Sequence, residues 1–243
     1  MIRSLLLDLD DTLLGNELDT FMSRYFRLIG DYAQPVFDEK TFLPMLIQAT
    51  QAMIRDTNPE LTNDLVFWSA FEDLTGGKRT ELEPFFRHFY ESDFLNLKAS
   101  TVLRPAAATL VRTAIDQGLP VVVATNPLFP RIAIEHRLEW AGLPVSEFDF
   151  ALVTTYENMH AAKPQPDYYR EILNVVGVEA GQALMVGDDW GNDIVPAAEV
   201  GLHTYWIAPD DATPVDPSLI RGRGSLDELA ELIISGRLEQ LGA

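Results

Sequence analysis

The chain has 243 residues, 47% of them apolar and 23% charged, with a net charge of −19 and no cysteine. This composition fits a folded protein with a sizeable core rather than extended disorder, and so acidic a surface, without basic patches, argues against a nucleic-acid partner. Disulfides and thiolate chemistry are excluded, and no apolar run approaches a signal peptide or the roughly 20 residues of a membrane helix, so no membrane association and a cytoplasmic location are expected.

Residues 2–8 form a short apolar run ending in acidic residues, which predicts a strand buried on both faces of a parallel sheet. From about 15 to 99 no strand-like run occurs. Helical patterns at 17–32, 39–55, 63–74 and 80–93, separated by Pro35, Pro59 and the Gly76-Gly77 pair, predict an inserted all-helical cap.

Alternation then sets in. Helices are expected at 105–117, 130–141 and 166–176, each opening on proline and closing before Gly118, Gly142 or Gly177, with strands at 119–125, 148–154, 183–187 and 202–207. Ser225, Asp227 and Glu228 begin a last amphipathic helix. Strands and helices in this rhythm predict an α/β fold, a doubly wound parallel sheet joined by right-handed crossovers. The core is assigned to 1–14 and 100–243, and the cap to 15–99.

In open parallel sheets ligands bind beyond the carboxyl ends of the strands, so the residues following each strand carry the functional reading. Asp8 and Asp10, two apart on an extended chain, face the same side. Two such anions 4 Å apart repel by about 4 kcal/mol at an effective dielectric of 20, which a shared proton or a divalent cation would relieve. Thr125 and Asn126 end the second core strand and could donate to phosphoryl oxygens, although an Asn before Pro127 is also an ordinary turn. Lys163 lies in a loop stiffened by Pro164 and Pro166, a point charge suited to a phosphoryl group. Asp188, Asp189 and Asp193 crowd one short loop after 183–187, a set of hard oxygen ligands suited to Mg²⁺.

Taken in order, Asp8-x-Asp10-x-Thr12, Thr125-Asn126, Lys163 and Gly187-Asp188-Asp189-x-x-x-Asp193 resemble the motifs of the haloacid dehalogenase superfamily, in the subfamily whose helical cap lies between the first and second motifs. The resemblance implies a Rossmann-like core and a Mg²⁺-dependent phosphohydrolase that cleaves a small phosphorylated metabolite. Asp8 would be the nucleophile and Asp10 the general acid and base. Thr125, Asn126 and Lys163 would bind the phosphate. The metal would rest on the Asp8 carboxylate, the Asp10 carbonyl and Asp188, with Asp189 or Asp193 completing or orienting that shell. The cap is expected to close over the site about Gly15. A phosphomutase on the same core and a noncatalytic phosphate-binding relative stand as alternatives, while a dehalogenase is disfavoured because Asp10 is present.

Other features are read as structural. Gly76-Gly77-Lys78-Arg79-Thr80 lacks the first glycine and the final hydroxyl of a phosphate loop and reads as a turn. Phe67, Trp68, Phe71, Phe85, Phe86 and Phe89 have helical spacing and read as cap core, some of which could line a substrate pocket. His88, His136, His160 and His203 lack metal-site spacing, and only His160 approaches Lys163 in sequence.

Overall fold

The structure is a computed structural model, described over residues 1–242. The first strand, β1 (Ser4–Leu7), is buried at every position, as a central strand covered on both faces must be. A tight turn leads to β2 (Leu14–Gly15), followed by four helices, α1 (Leu18–Ala33), α2 (Glu39–Arg55), α3 (Asn63–Thr75) and α4 (Arg79–Glu91). A 3₁₀ stretch, Asp93–Ser100, brings the chain back through β3 (Val102–Leu103), which pairs antiparallel with β2.

The remainder alternates: α5 (Pro105–Asp116), β4 (Val121–Val123), α6 (Arg131–Trp140), β5 (Leu152–Val153), α7 (Pro166–Val176), β6 (Ala183–Gly187), α8 (Val195–Val200) and β7 (His203–Ile207). It ends with β8 (Gly222–Gly224) and α9 (Leu226–Ile234). The main sheet is parallel throughout, in the order β5-β4-β1-β6-β7-β8. The chain winds outward to both sides of β1, so the crevice beyond its carboxyl end is the switch point where such sheets bind ligands. Alternate strand residues feed opposite cores: Leu5, Leu7, Val121 and Val123 on one face, Leu6, Val122 and Met185 on the other. The doubly wound sheet and the inserted helices are thus as the sequence led one to expect.

Three details differ. The expected strand 148–154 shortens to Leu152–Val153, because Phe150 N–H turns back to the Phe148 carbonyl at 3.1 Å and the two rings stack at 6.1 Å. β8 was not anticipated: Gly222-Arg223-Gly224 carries no apolar alternation, and it pairs with β7 because its glycines admit the Tyr205 side chain, which a Cβ at either position would strike within 2.9 Å. The β2–β3 ribbon was also missed, since two residues per strand leave no periodicity to read. Within it, a Cβ on Gly15 would stand 3.0 Å from the Val102 carbonyl oxygen, so Gly15 serves a close backbone approach.

The inserted helices pack around aromatic side chains. Phe42 stacks on Phe86 at 5.7 Å and meets Phe71 edge-on, while Phe37 closes the cluster. Gly76 adopts a left-handed conformation that ends α3, so the 76–80 segment is a helix-capping turn. The helices are also latched to the core. The first α3 amides, which have no partner inside their own helix, donate to core carbonyls: Asn63 to Met159 at 2.8 Å and Asp64 to Tyr156 at 2.9 Å. Asn63 Nδ2 adds a bond to the Ala161 carbonyl at 3.1 Å, and Gln165 Nε2 reaches back to the Ile54 and Asp56 carbonyls. No helix among the described residues is long and apolar enough to cross a membrane.

Candidate active site

Asp8 begins where β1 ends, its amide donating to the Val186 carbonyl of β6 at 2.9 Å. Its side chain is buried and accepts from Lys163 Nζ at 2.7 Å; the same ammonium donates to Asp193 Oδ1 at 2.6 Å. The Asp193 Oδ2 accepts the Asp189 amide at 3.1 Å. Asp193 can approach this closely only because residue 187 is glycine: a Cβ there would lie 2.1 Å from Asp193 Oδ2. Asp188 completes the group, with Oδ1 accepting from the Thr12 hydroxyl at 3.1 Å while Trp206 Nε1 holds its carbonyl at 2.8 Å.

One cavity of about 270 Å³ gathers Asp8, Asp10, Thr125, Asn126, Lys163, Asp188, Asp189 and Asp193. All eight residues singled out in the sequence therefore share a site, though they come from four separate strand ends. His160 is not among its lining; its Nδ1 lies 2.7 Å from Glu171 Oε1. The roles of Asp189 and Asp193, left open by the sequence, differ in geometry. Asp189 caps the π-turn Trp190–Ile194, accepting from the Gly191 amide at 2.8 Å, the Asn192 amide at 3.0 Å and Asn192 Nδ2 at 2.7 Å. Asp193 is committed to Lys163.

The side that carries Thr125 and Asn126 is equally ordered. The Thr125 carbonyl accepts from the Thr154 hydroxyl at 2.7 Å and the Tyr168 hydroxyl at 2.8 Å, which fixes the end of β4. Asn126 Oδ1 accepts the Lys163 amide at 3.2 Å, leaving its NH₂ as the donor end.

Two residues that the sequence did not flag hold Asp10. Arg137, on α6 and only 2% exposed, donates from Nη1 to Asp10 Oδ2, with its guanidinium carbon 4.7 Å from the centre of the Phe129 ring. Asn16 donates from Nδ2 to Asp10 Oδ1 at 2.9 Å and exchanges two further bonds with Asp11, whose φ of 53° is a left-handed turn that aspartate tolerates. Arg137 did leave a signal, because it falls on the buried stripe of α6 with Ala133, Ile134 and Leu138, where a charge has no reason to be unless it has a partner. Asn16 left none.

The electrostatics favour a cation. Burial pushes the Asp8 carboxyl up to about 8, with Asp193 and Asp10 adding to the rise and Lys163 opposing it. Burial and then the neighbouring Asp8 push Asp188 to about 7. Burial likewise lifts Asp193 to about 6 against the pull of Lys163. Burial alone would lower Lys163, but Asp193 and Asp8 hold it well above its ordinary value, so it remains charged. Carboxylate oxygens of Asp8, Asp188 and Asp193 lie within 4.8 Å of one another; with both Asp193 oxygens taken by Lys163 and the Asp189 amide, Asp8 and Asp188 are the hard donors that fit a small divalent ion.

A model of haloacid dehalogenase-like hydrolases matches residues 2–201. Haloacid dehalogenase-like hydrolase domain-containing protein 3 of Bos taurus is 35% identical over 127 residues, 52% of this chain and 47% of that protein. The match thus spans about half the length of that relative. A phosphoserine phosphatase of Thermus thermophilus is 28% identical over 237 residues, covering 85% of this chain and 88% of its own. Among solved structures, a HAD phosphatase from Thermococcus onnurineus superimposes with a TM-score of 0.59 at 19% identity, over 96% of this chain and 98% of that one, which speaks for the fold. With 200 residues matched and the strand ends assembled as described, the chain belongs to the haloacid dehalogenase-like hydrolase family.

Proposed function

We propose that the protein is a Mg²⁺-dependent phosphohydrolase that cleaves a small-molecule phosphomonoester through an aspartyl phosphate on Asp8. The observation that carries this reading is the placement of the buried Asp8 carboxylate against Lys163, beside a second carboxylate, Asp10, that is held by its own partners. A dehalogenase has no use for that second group.

In the first step an Asp8 oxygen forms a bond to phosphorus, the ester P–O bond breaks, and the departing alcohol oxygen takes a proton from Asp10. In the second, Asp10 removes a proton from water, the water oxygen attacks phosphorus, and the Asp8–phosphorus bond breaks to release phosphate. Arg137 and Asn16 each occupy one Asp10 oxygen, and each oxygen keeps a second lone pair for the alcohol or the water. Lys163, Thr125 and Asn126 supply positive charge and preorganised donors where the phosphoryl oxygens gather negative charge. Asp193 acts through Lys163, fixing its ammonium against Asp8.

Asp8, Asp188 and the Asp10 carbonyl would hold Mg²⁺, which when bound supplies charge neutralisation between the nucleophile and the phosphate. The bonds already made by Asp189 and Asp193 support orienting roles for them rather than direct ligation. The relatives named as phosphatases support hydrolysis over phosphoryl transfer between sugars.

The test is a panel of phosphomonoesters assayed with and without Mg²⁺, for the wild type and for Asp8→Asn. Phosphate release is expected to require both the metal and the Asp8 carboxylate. Undiminished release from the Asp8→Asn protein, free of contaminating phosphatase, contradicts the mechanism.

A further inference from the structure

Beside the catalytic cavity lies a larger one, of about 400 Å³, between the inserted helices and the segment that follows β4. The two adjoin. Leu128 lines both, and α1 runs past both: Phe21 faces the catalytic cavity, while Tyr25 and Ile29, one and two turns further on the same helical face, line the larger one. At a rise of 1.5 Å per residue, that face extends about 12 Å from Phe21 to Ile29. The far wall is apolar and mostly buried, built from Trp68, Phe71 and Phe86 with Leu46.

What the polar atoms of this lining do decides its chemistry. Tyr25 and Tyr90 hydroxyls bond each other at 3.1 Å, and Trp68 Nε1 donates to the Tyr156 hydroxyl at 3.4 Å. Thr50 donates to the Leu46 carbonyl at 2.9 Å. Glu83 is paired with Arg79 at 2.8 Å, the Arg131 backbone amide donates to Glu157 Oε1 at 2.9 Å, and the Arg131 guanidinium lies 3.5 Å from Glu135. The charged groups Arg87, Arg131 and Glu157 are exposed at the rim, whereas the buried wall is aliphatic and aromatic, so a polyol or amino-acid leaving group lying against that wall would lose its water for few replacement hydrogen bonds. Burying such groups unpaired is unfavourable, whereas an apolar group gains from the same surface. The size is that of an ordinary small-molecule site.

We infer that the alcohol half of the substrate is an apolar group, an extended alkyl or aryl moiety that lies along α1 in the larger cavity while its phosphate sits at Asp8. The inference rests on the phosphohydrolase reading above and adds to it the class of leaving group. It sets this chain apart from family members that must recognise hydroxyl-rich or zwitterionic alcohols, since those need donors and acceptors along the inner wall, which here is built from Leu46, Trp68, Phe71 and Phe86.

The experiment is a chain-length series of n-alkyl phosphates from ethyl to octyl, whose leaving groups have nearly constant chemistry, run beside glycerol phosphate and phosphoserine. Each added methylene is expected to raise kcat/KM two- to fourfold until the cavity is full, fourfold being the equivalent of about 0.8 kcal/mol per buried methylene. Thr50→Phe, which fills the cavity from α2, is expected to move the plateau to shorter chains. A flat or falling profile, or a preference for glycerol phosphate over butyl phosphate, overturns the inference while leaving Asp8-dependent hydrolysis intact. Binding of the non-hydrolysable n-alkylphosphonates, measured by calorimetry, reads the same trend without turnover. Affinity that rises with chain length in a protein that hydrolyses none of the esters would uphold the apolar site and refute the phosphohydrolase reading; affinity independent of chain length would refute the site.

Discussion

Asp10 is gripped from two sides, by Arg137 of α6 and by Asn16 just after β2, so its orientation depends on residues outside the four strand-end motifs. Arg137→Met would leave Asp10 with one partner and remove a buried charge pair from one side, which costs about 3–5 kcal/mol of stability. It is also expected to lower kcat for alkyl phosphates by about 10²-fold with little change in KM, the lower end of what general acid–base catalysis supplies. Arg137→Lys should recover part of the rate. Denaturant unfolding and steady-state kinetics check the two effects, and an unchanged kcat would reduce Arg137 to a structural role. A pH dependence follows from Asp8 and Asp188, raised by burial to about 8 and about 7. Between the ordinary carboxyl value of 3.8 and those values the metal-free native state binds more protons than the unfolded chain, so its stability falls as pH rises from about 4 to about 8. Mg²⁺ competes with those protons, so its affinity is expected to climb over the same interval with proton release on binding. Calorimetry in buffers of different ionisation enthalpy, and unfolding with and without chelator, would show it.

At the scale of elements, the loop after β6 is the most tightly specified part of the site. Gly187→Ala would drive a methyl group into Asp193 and so release Lys163 from one of its two carboxylates. Loss of at least 10-fold in activity and a lowered Tm are expected. Gly181→Ala, with nothing within 4 Å of its Cβ position, should stay within about 0.5 kcal/mol of the wild type. The contrast between these glycines is not visible in the sequence, where both are only glycines near a strand. What was visible was the strand-end carboxylates, because β1 and β6 are continuous apolar runs whose ends are unmistakable. The β2–β3 ribbon and β8 escaped because so few residues, several of them glycine, carry no alternation. Arg137 escaped for another reason. Its partner lies 127 positions away, and only the packing of α6 beneath the β1 loop brings them together.

For the whole molecule, a latch joins α3 of the inserted helices to the segment that carries Lys163. Opening would break the Asn63 and Asp64 amide bonds to Met159 and Tyr156, so a phosphate analogue bound at Asp8 is expected to slow hydrogen exchange at those two amides. Exchange that does not respond to the analogue would mean helices permanently docked. Chemical trapping reads the role of Asp8 most directly. The protein is mixed with substrate and Mg²⁺, quenched in acid within the first turnover, and its peptides are mapped by mass spectrometry. A phosphoryl group is expected on the peptide carrying Asp8; borohydride reduction of that acyl phosphate, which releases phosphate and converts the residue to homoserine, should mark Asp8, and neither product should form in the Asp8→Asn protein. Steady phosphate release with no trapped adduct, or an adduct on any other residue, would contradict that role.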